Sequence, residues 1–168
     1  MPVVQCNGAD LYYEDHGEGD PIVFLHVATA GLRYFEPQLT AMSGDYRTVA
    51  VDFRGHGRSE KTGLGHTIRH YGDDVRSFLE QLDLDAIILV GWSMGAVVSW
   101  EYIHRSGTDR IRALVDIDME PSPVNRLGVK PRGFRVDSRS MPQPRQGVRT
   151  PHSRSASRDS SAHLRVRL

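Results

Sequence analysis

The fold of this chain is decided by the stretch Ala86-Ile87-Ile88-Leu89-Val90-Gly91-Trp92-Ser93-Met94-Gly95. Its first five residues form the longest apolar run of the sequence, which is typical of a strand buried on both faces in a parallel sheet. A helix is predicted to follow from about Met94 to Ser106, ended by Gly107. Ser93 therefore lies on a sharp turn between strand and helix, and glycines at its two flanks relieve the crowding there.

Buried strands and helices alternate along the chain on both sides of this stretch. Further strands are predicted at Val3–Cys6, Leu11–His16, Ile22–His26, Thr48–Val51 and Ile111–Ile117, and further helices at Tyr34–Met42 and Thr67–Leu82. The apolar residues of the helix at 67–82 recur at steps of three and four, which is one helical stripe. This alternation predicts an α/β fold, a mostly parallel sheet of about six strands with flanking helices.

The charge of the chain changes sign after Glu120. The totals balance at 21 Lys and Arg against 21 Asp and Glu. Residues 1–120 carry 10 basic against 19 acidic side chains, a net charge of −9, whereas residues 121–168 carry 11 against 2, a net charge of +9. The second segment also holds six of the nine prolines and few apolar residues, a composition typical of disorder. We expect a folded domain over 1–120 and a disordered, Pro/Ser/Arg-rich basic tail over 121–168.

Several classes of protein are excluded by composition. The longest apolar run has five residues, far short of the roughly 18 that a membrane span needs. Acidic residues begin at Asp10, too early for a secretory signal. Cys6 is the single cysteine, which excludes an intrachain disulfide and a cysteine-based zinc site; we expect it to be a packing or edge residue. The predicted protein is cytoplasmic, with no metal, no cofactor and no membrane partner.

Three stretches together resemble the N-terminal half of the α/β-hydrolase fold superfamily. They are Phe24-Leu25-His26-Val27-Ala28, then Asp52-Phe53-Arg54-Gly55-His56-Gly57-Arg58-Ser59, and the turn at Ser93. Their order and spacing match the superfamily, and the similarity is greatest to its esterase and cofactor-free haloperoxidase-like members. The Gly91–Gly95 segment has the G-x-S-x-G form of the nucleophile elbow in such enzymes. The resemblance implies hydrolysis of a small-molecule ester or related acyl substrate.

The resemblance also implies roles for individual residues. Ser93 would be the nucleophile, with the backbone N–H groups of Met94 and Ala28 as donors to the oxyanion. The family has glycine after the histidine at position 26, whereas this chain has Val27, so the loop carrying Ala28 is expected to differ in shape. His26 and His56 are interpreted as residues that brace loops rather than as proton carriers.

The acid and the base of a catalytic triad are less well defined. Asp118 ends the last predicted strand at the carboxyl edge, where some family members place their acid; the alternative is that it only caps the loop. The family's histidine follows its eighth strand, and strands seven and eight are not found here. The late histidines are His152 and His163, and neither follows an apolar run. We therefore expect a truncated α/β-hydrolase fold with impaired catalysis.

Two other interpretations of the sequence stay open. The chain could be a non-catalytic protein whose basic tail binds an acidic partner or RNA, although Phe134 is the only aromatic residue after Glu120 and nucleic acid is the less favoured partner. The segment after Glu120 could instead be out-of-frame or truncated sequence that replaces the family's lid and last strands. Residues 124–136 could still belong to the beginning of a lid, since the family inserts its lid after the sixth strand. In either case the strand Ile111–Ile117 is expected to expose a sheet edge that favours self-association.

Overall fold

Six strands form one sheet in a computed structural model that describes residues 2–119 of the chain. They are β1 (Val3–Cys6), β2 (Ala9–His16), β3 (Pro21–Leu25), β4 (Arg47–Val51), β5 (Ile87–Trp92) and β6 (Ile111–Ile117). Their order across the sheet is β1-β2-β4-β3-β5-β6. The pairs β1–β2 and β2–β4 are antiparallel, and the strands from β4 through β3 and β5 to β6 are parallel. The predicted α/β fold with a mostly parallel sheet is confirmed.

Three helices connect the parallel strands. They are α1 (Glu36–Met42), α2 (Ile68–Gln81) and α3 (Met94–Ser106), and a short 3₁₀ turn at Leu32–Phe35 leads into α1. Thr67 caps α2, because its hydroxyl oxygen accepts the backbone N–H of His70 at 3.2 Å. The predicted bounds of α3 are confirmed, while the helix expected at Tyr34–Met42 is divided between the 3₁₀ turn and α1.

The helices cover both faces of the sheet and enclose two apolar clusters. On one face α2 and α3 pack against the sheet through buried side chains that include Phe78, Leu79 and Val98. On the other face the 3₁₀ turn and α1 contribute Leu32, Phe35 and Leu39. Burial of one such side chain contributes about 1.5–3 kcal/mol. The sheet is therefore the middle of three layers, and its carboxyl edge is left to the loops.

The described residues bear on the predicted lack of a membrane span, but they do not include the predicted tail. Among residues 2–119 no helix is both long and apolar enough to span a membrane. The predicted basic tail over 121–168, its boundary at Glu120 and the two late histidines all lie outside the described residues.

Candidate active site

Ser93 lies on the turn between β5 and α3 in a backbone conformation that few residues adopt. Its φ of +50° and ψ of −108° are costly for a residue with a Cβ. The neighbouring strand holds the turn in place, since the Ser93 N–H donates to the carbonyl oxygen of Ile117 at 2.9 Å. The turn places Ser93 directly after the carboxyl end of β5, where its side chain is half-buried.

The two glycines that flank Ser93 are required by close approach of the backbone. A Cβ on Gly91 would lie 2.6 Å from the backbone nitrogen of Ala96, in the first turn of α3. A Cβ on Gly95 would overlap the carbonyl oxygen of Leu25 at the end of β3. Glycine thus lets α3 start directly against the sheet, which brings its N-terminus to the edge where Ser93 lies.

The two predicted oxyanion donors leave the sheet from paired positions. Leu25 of β3 pairs with Gly91 of β5; Ala28 follows Leu25 by three residues, and Met94 follows Gly91 by three. Met94 is the first residue of α3, so its N–H belongs to the helix turn that lacks intrahelical acceptors and carries the positive end of the dipole. Ala28 and Met94 therefore both lie just beyond the carboxyl ends of the neighbouring strands β3 and β5.

The loop that carries Ala28 is a tight turn. The N–H of Ala30 donates to the carbonyl oxygen of Val27 at 3.3 Å, and Thr29 between them has a φ of +61°. The Thr29 hydroxyl donates to the Ala28 carbonyl oxygen at 2.6 Å. The turn fixes the direction of the Ala28 peptide without the glycine that the family has at position 27.

Asp118 lies next to the elbow but makes no contact that assigns it a role. The last residue pair between β5 and β6 is Trp92 with Ile117, so Ser93 and Asp118 leave the sheet side by side. Asp118 is exposed and has a φ of +58°. No hydrogen bond joins it to a histidine within the described residues, and its function as the acid stays a prediction.

His26 uses both ring nitrogens to brace the loops of this edge. It is fully buried; its Nδ1 bonds the carbonyl oxygen of Val27 at 2.8 Å, and its Nε2 accepts the N–H of Phe53 at 3.0 Å. Burial lowers the pKa of His26 to about 4, so the ring is neutral at pH 7. This agrees with the bracing role predicted for it and leaves no nitrogen to accept a proton from Ser93.

His56 stabilises the second loop in a similar way. Its Nδ1 lies 3.0 Å from the carbonyl oxygen of Arg54, and its ring contacts those of His26 and Tyr71 at centroid distances of 5.2 and 6.0 Å. Six of the eight histidines of the chain lie within residues 2–119, and among these none has a hydrogen bond to Ser93 or Asp118.

Asp52 joins two loops of the site, a role that the sequence analysis missed. Its buried carboxylate accepts the backbone N–H of Leu32 at 2.6 Å and that of Arg58 at 2.7 Å. The first bond anchors the segment that follows Ala28, and the second anchors the loop after β4. The available signal was an aspartate directly after a buried strand, at the carboxyl edge.

Aromatic side chains lie beside the elbow. Tyr34 is 61% exposed, and its ring meets that of Trp92 edge to face at 5.7 Å. A cleft of about 370 Å³ is lined by the segment 29–34, which includes Tyr34, and by Arg58 from the loop after β4, but Ser93 does not line it. The aromatic pair includes Trp92, the residue directly before Ser93.

The described residues offer no obvious metal site. Within 2–119, no three His, Cys, Asp or Glu side chains are grouped so that they could hold an ion. The absence of a metal and of a cofactor stays a prediction from the sequence.

Comparison with known proteins assigns this arrangement to a family. A family model described as the alpha/beta hydrolase fold matches residues 20–162. The chain belongs to the α/β hydrolase fold family. The matched range continues past Glu120, into the segment that composition assigned to a tail.

Individual α/β hydrolases show how much of the fold this chain covers. Non-heme chloroperoxidase CPO-A1 of Kitasatospora aureofaciens is 33% identical over 135 residues, 79% of this chain and 49% of that protein. A bromoperoxidase structure from Bacillus anthracis has a TM-score of 0.63 at 38% identity and covers 64% of this chain and 40% of its own. The structure of an esterase from Exiguobacterium antarcticum has a TM-score of 0.67 at 31% identity, and the match covers 68% of this chain and 44% of the esterase chain. The chain spans about half the length of the curated relatives it matches.

Proposed function

We propose that Ser93 is the nucleophile of a site that hydrolyses small-molecule carboxylic esters. Ser93 Oγ attacks the ester carbonyl carbon, its proton passes to a base, and the alcohol leaves to give an acyl-serine that water then cleaves. The observation that carries the proposal is the strained turn that places Ser93 directly before α3, at the helix end whose backbone N–H groups lack intrahelical acceptors.

In this proposal two backbone N–H groups donate hydrogen bonds that stabilise the negative charge developing on the carbonyl oxygen. Met94 N–H lies at the positive end of the α3 dipole, and Ala28 N–H lies beyond the adjacent strand. The bonds of Asp52 to the flanking loops hold this second donor's segment in place. Removal of one such donor from a serine hydrolase costs about 10²–10³ in turnover.

The aromatic pair of Tyr34 and Trp92 favours an acyl group with apolar surface. It lies beside the elbow, and its exposed ring offers contact area without a competing charge. A small acetyl or a short alkyl ester fits such an open site, and the similarity to an esterase structure supports the same substrate class.

We find no histidine among residues 2–119 that is placed to act as the catalytic base for Ser93. Both nitrogens of His26 are engaged, and neither His152 nor His163 follows a segment that predicts a strand. A serine without a base is a weak nucleophile. We therefore place its turnover at the residual level of roughly 10³–10⁴ over water that binding and oxyanion donors provide.

The test uses p-nitrophenyl acetate with and without added imidazole. Imidazole is small enough to reach an open site and to accept the serine proton. We expect wild type and Ser93→Ala to turn over at similar rates without imidazole. With imidazole as the base, we expect the ester to transfer its acetyl group to Ser93 Oγ of the wild type and to release p-nitrophenol, and the acetylated peptide to be read by mass spectrometry. Ser43→Ala, at a remote helix end, is the matched control and should behave as the wild type.

Two results would contradict the proposal in different parts. If imidazole never yields acetylated Ser93 above the level at other serines, Ser93 is not a placed nucleophile. If Ser93→Ala lowers the unassisted rate a hundredfold or more, a base already works in this chain, and His152→Ala and His163→Ala would be the next variants to assay.

A further inference from the structure

The cleft of about 370 Å³ is formed by the loop that follows β3 and the loop that follows β4. The first loop contributes residues 29–34 to its lining, the second contributes Asp52, Gly57 and Arg58, and Tyr12 of β2 completes it. This volume falls in the range of about 300–1,000 Å³ that small-molecule sites have in proteins. Ser93 does not line the cleft, so the proposed ester hydrolysis leaves it without a role.

Two arginines line this cleft, and neither forms an ion pair within the part of the chain that the structure describes. Residues 2–119 contain nine arginines. Five of these have a carboxylate oxygen within 3.2 Å, namely Arg47, Arg54, Arg105, Arg110 and Arg112. Of the other four, Arg69 and Arg76 lie on α2, whereas Arg33 and Arg58 share the cleft. Acidic side chains outnumber basic ones by 19 to 10 in residues 1–120, so two arginines without a counter-charge in one cleft indicate a site for an anion.

Arg58 is held in place by a neutral side chain. Its Nη1 donates to the hydroxyl oxygen of Tyr12 at 2.7 Å, and its guanidinium lies over the Tyr12 ring, 4.9 Å from the centroid. Tyr12 is 5% exposed, so this ring is a rigid support. The Nε and Nη2 groups of Arg58 have no hydrogen bond within residues 2–119. They form the same side-on fork with which Arg54 binds the carboxylate of Asp74.

Asp52 is the one acid among the described residues that line the cleft, and its oxygens are already engaged. Its Oδ1 accepts the N–H of Leu32 at 2.6 Å, and its Oδ2 accepts the backbone N–H of Arg58 at 2.7 Å. The residue is 3% exposed, and these short bonds to backbone donors offset its charge. Asp52 therefore leaves the guanidinium groups of both arginines available, and the lining keeps a formal charge of +1.

We propose that this cleft binds a small organic carboxylate. Arg58 Nε and Nη2 donate to the two carboxylate oxygens side by side, and Arg33 supplies a second positive charge. A lining charge of +1 suits a monocarboxylate better than a phosphate group, which carries about −1.5 to −2 at pH 7 and would be repelled more strongly by Asp52. The short hydrocarbon part of the ligand lies against the apolar lining, which includes Leu32 and Tyr34.

The segment after residue 119 offers few carboxylates that could compete with such a ligand. It contains three acidic side chains, those of Glu120, Asp137 and Asp159, against 11 basic ones. A free carboxylate at millimolar concentration therefore has little competition from the side chains of this segment for Arg33 and Arg58.

The test is a titration of the full 168-residue chain with sodium butyrate at pH 7 and low ionic strength, followed by heteronuclear NMR of the arginine Nε–H groups. We expect saturable shifts at Arg58 and smaller ones at Arg33, while the signal of Arg69 stays in place. Butyramide has the same shape without the charge and should cause no saturable shift. Added salt should weaken butyrate binding, because both arginines are exposed. None of these measurements depends on Ser93, so their outcome is separate from that of ester hydrolysis.

Two kinds of variant separate the charge from the fork. Arg58→Gln removes the charge, and Arg58→Lys keeps the charge without the fork, so each should weaken butyrate binding by about tenfold or more. Arg33→Gln should weaken it by a smaller factor. The Arg33 side chain makes no hydrogen bond within residues 2–119, so this variant should fold as the wild type does. Arg69→Gln is the matched control and should bind butyrate as the wild type does.

The proposal is overturned if butyrate gives no saturable shift in the wild type, as it would if the segment beyond residue 119 filled the cleft. It is also overturned if butyramide binds as well as butyrate, or if Arg33→Gln and Arg58→Gln both bind as the wild type. Inorganic phosphate that binds more tightly than butyrate would overturn the assignment of the ligand as a carboxylate.

Discussion

The ion pair of Arg54 and Asp74 is the interaction whose loss we expect to destabilise this domain most. The guanidinium donates to both carboxylate oxygens at 2.6 Å, and the two side chains are only 6% and 1% exposed. Arg54 also donates to the Asn7 carbonyl oxygen at 3.2 Å, and the Asn7 amide donates to Asp74 at 3.1 Å. The cluster thus joins the β1–β2 turn, the loop after β4 and α2.

Asp74→Asn should lower the free energy of unfolding by about 3–5 kcal/mol, because it leaves the buried guanidinium without a counter-charge. Most domains have only about 5–15 kcal/mol in total. The double variant Arg54→Met/Asp74→Leu should be much less destabilised than the sum of its single variants, since no charge then remains buried. The assay is urea unfolding at pH 7 followed by circular dichroism.

The matched control is Asp15→Asn, which removes one partner of the exposed pair with Arg47. These side chains are 27% and 32% exposed, and their pairing contributes about 0–1 kcal/mol. The reasoning is refuted if Asp74→Asn loses no more stability than Asp15→Asn, or if the double variant loses the full sum.

Further outcomes test the packing, the titration and the boundary of the domain. Gly95→Ala should lower the free energy of unfolding in urea by about 3 kcal/mol or more, because its Cβ would overlap the Leu25 carbonyl. The control Gly44→Ala, with open space around the added Cβ, should change the free energy of unfolding by under about 0.5 kcal/mol. Equal losses in the two variants would contradict the packing argument. The pKa of His26 is about 4 in the folded state and about 6.5 when unfolded, so the unfolded chain binds more protons between these values. Stability should fall as pH drops through this window, by up to about 1.4 kcal/mol per pH unit. His26→Gln, compared at each pH so that other groups cancel, should lack this contribution; identical slopes would exclude it. Brief trypsin digestion should leave a core that ends between residues 120 and 135, and equal survival of the full chain would argue against the predicted boundary.

The order of strands and helices could be predicted because each is encoded by its own residues. Apolar runs and helical steps are local signals, and the observed β6 and α3 have the predicted bounds. The apolar run predicts that β5 ends at Val90, but the strand continues to Trp92 because Trp92 pairs with Ile117 of β6. That pairing is a long-range contact, and a pattern read along one strand does not contain it.

The elbow could be predicted and the loops around it could not, for the same reason. Ser93 and Met94 belong to one local turn with a characteristic pattern of glycines. The bonds from Asp52 to Leu32 and Arg58 join segments 20 and 6 residues away, and the sequence shows only an aspartate after a strand. The 3₁₀ turn that replaces the start of the expected helix also begins at Leu32, where Asp52 accepts the first N–H.

The elbow and the outer edge of β6 are connected through Ile117. The Ile117 carbonyl holds the Ser93 N–H, so the strained turn depends on a strand that has one neighbour among the described residues. Strands at an edge open more easily than central ones, and opening of β6 would free the Ser93 backbone. The Ser93 amide should therefore exchange with solvent faster than the amides of the central β3, and Ala113→Gly in β6 should speed its exchange further while the amides of β3 stay unchanged. Equal exchange at Ser93 in both proteins would show that the elbow is held by its own turn and by the glycines beside it, independently of β6.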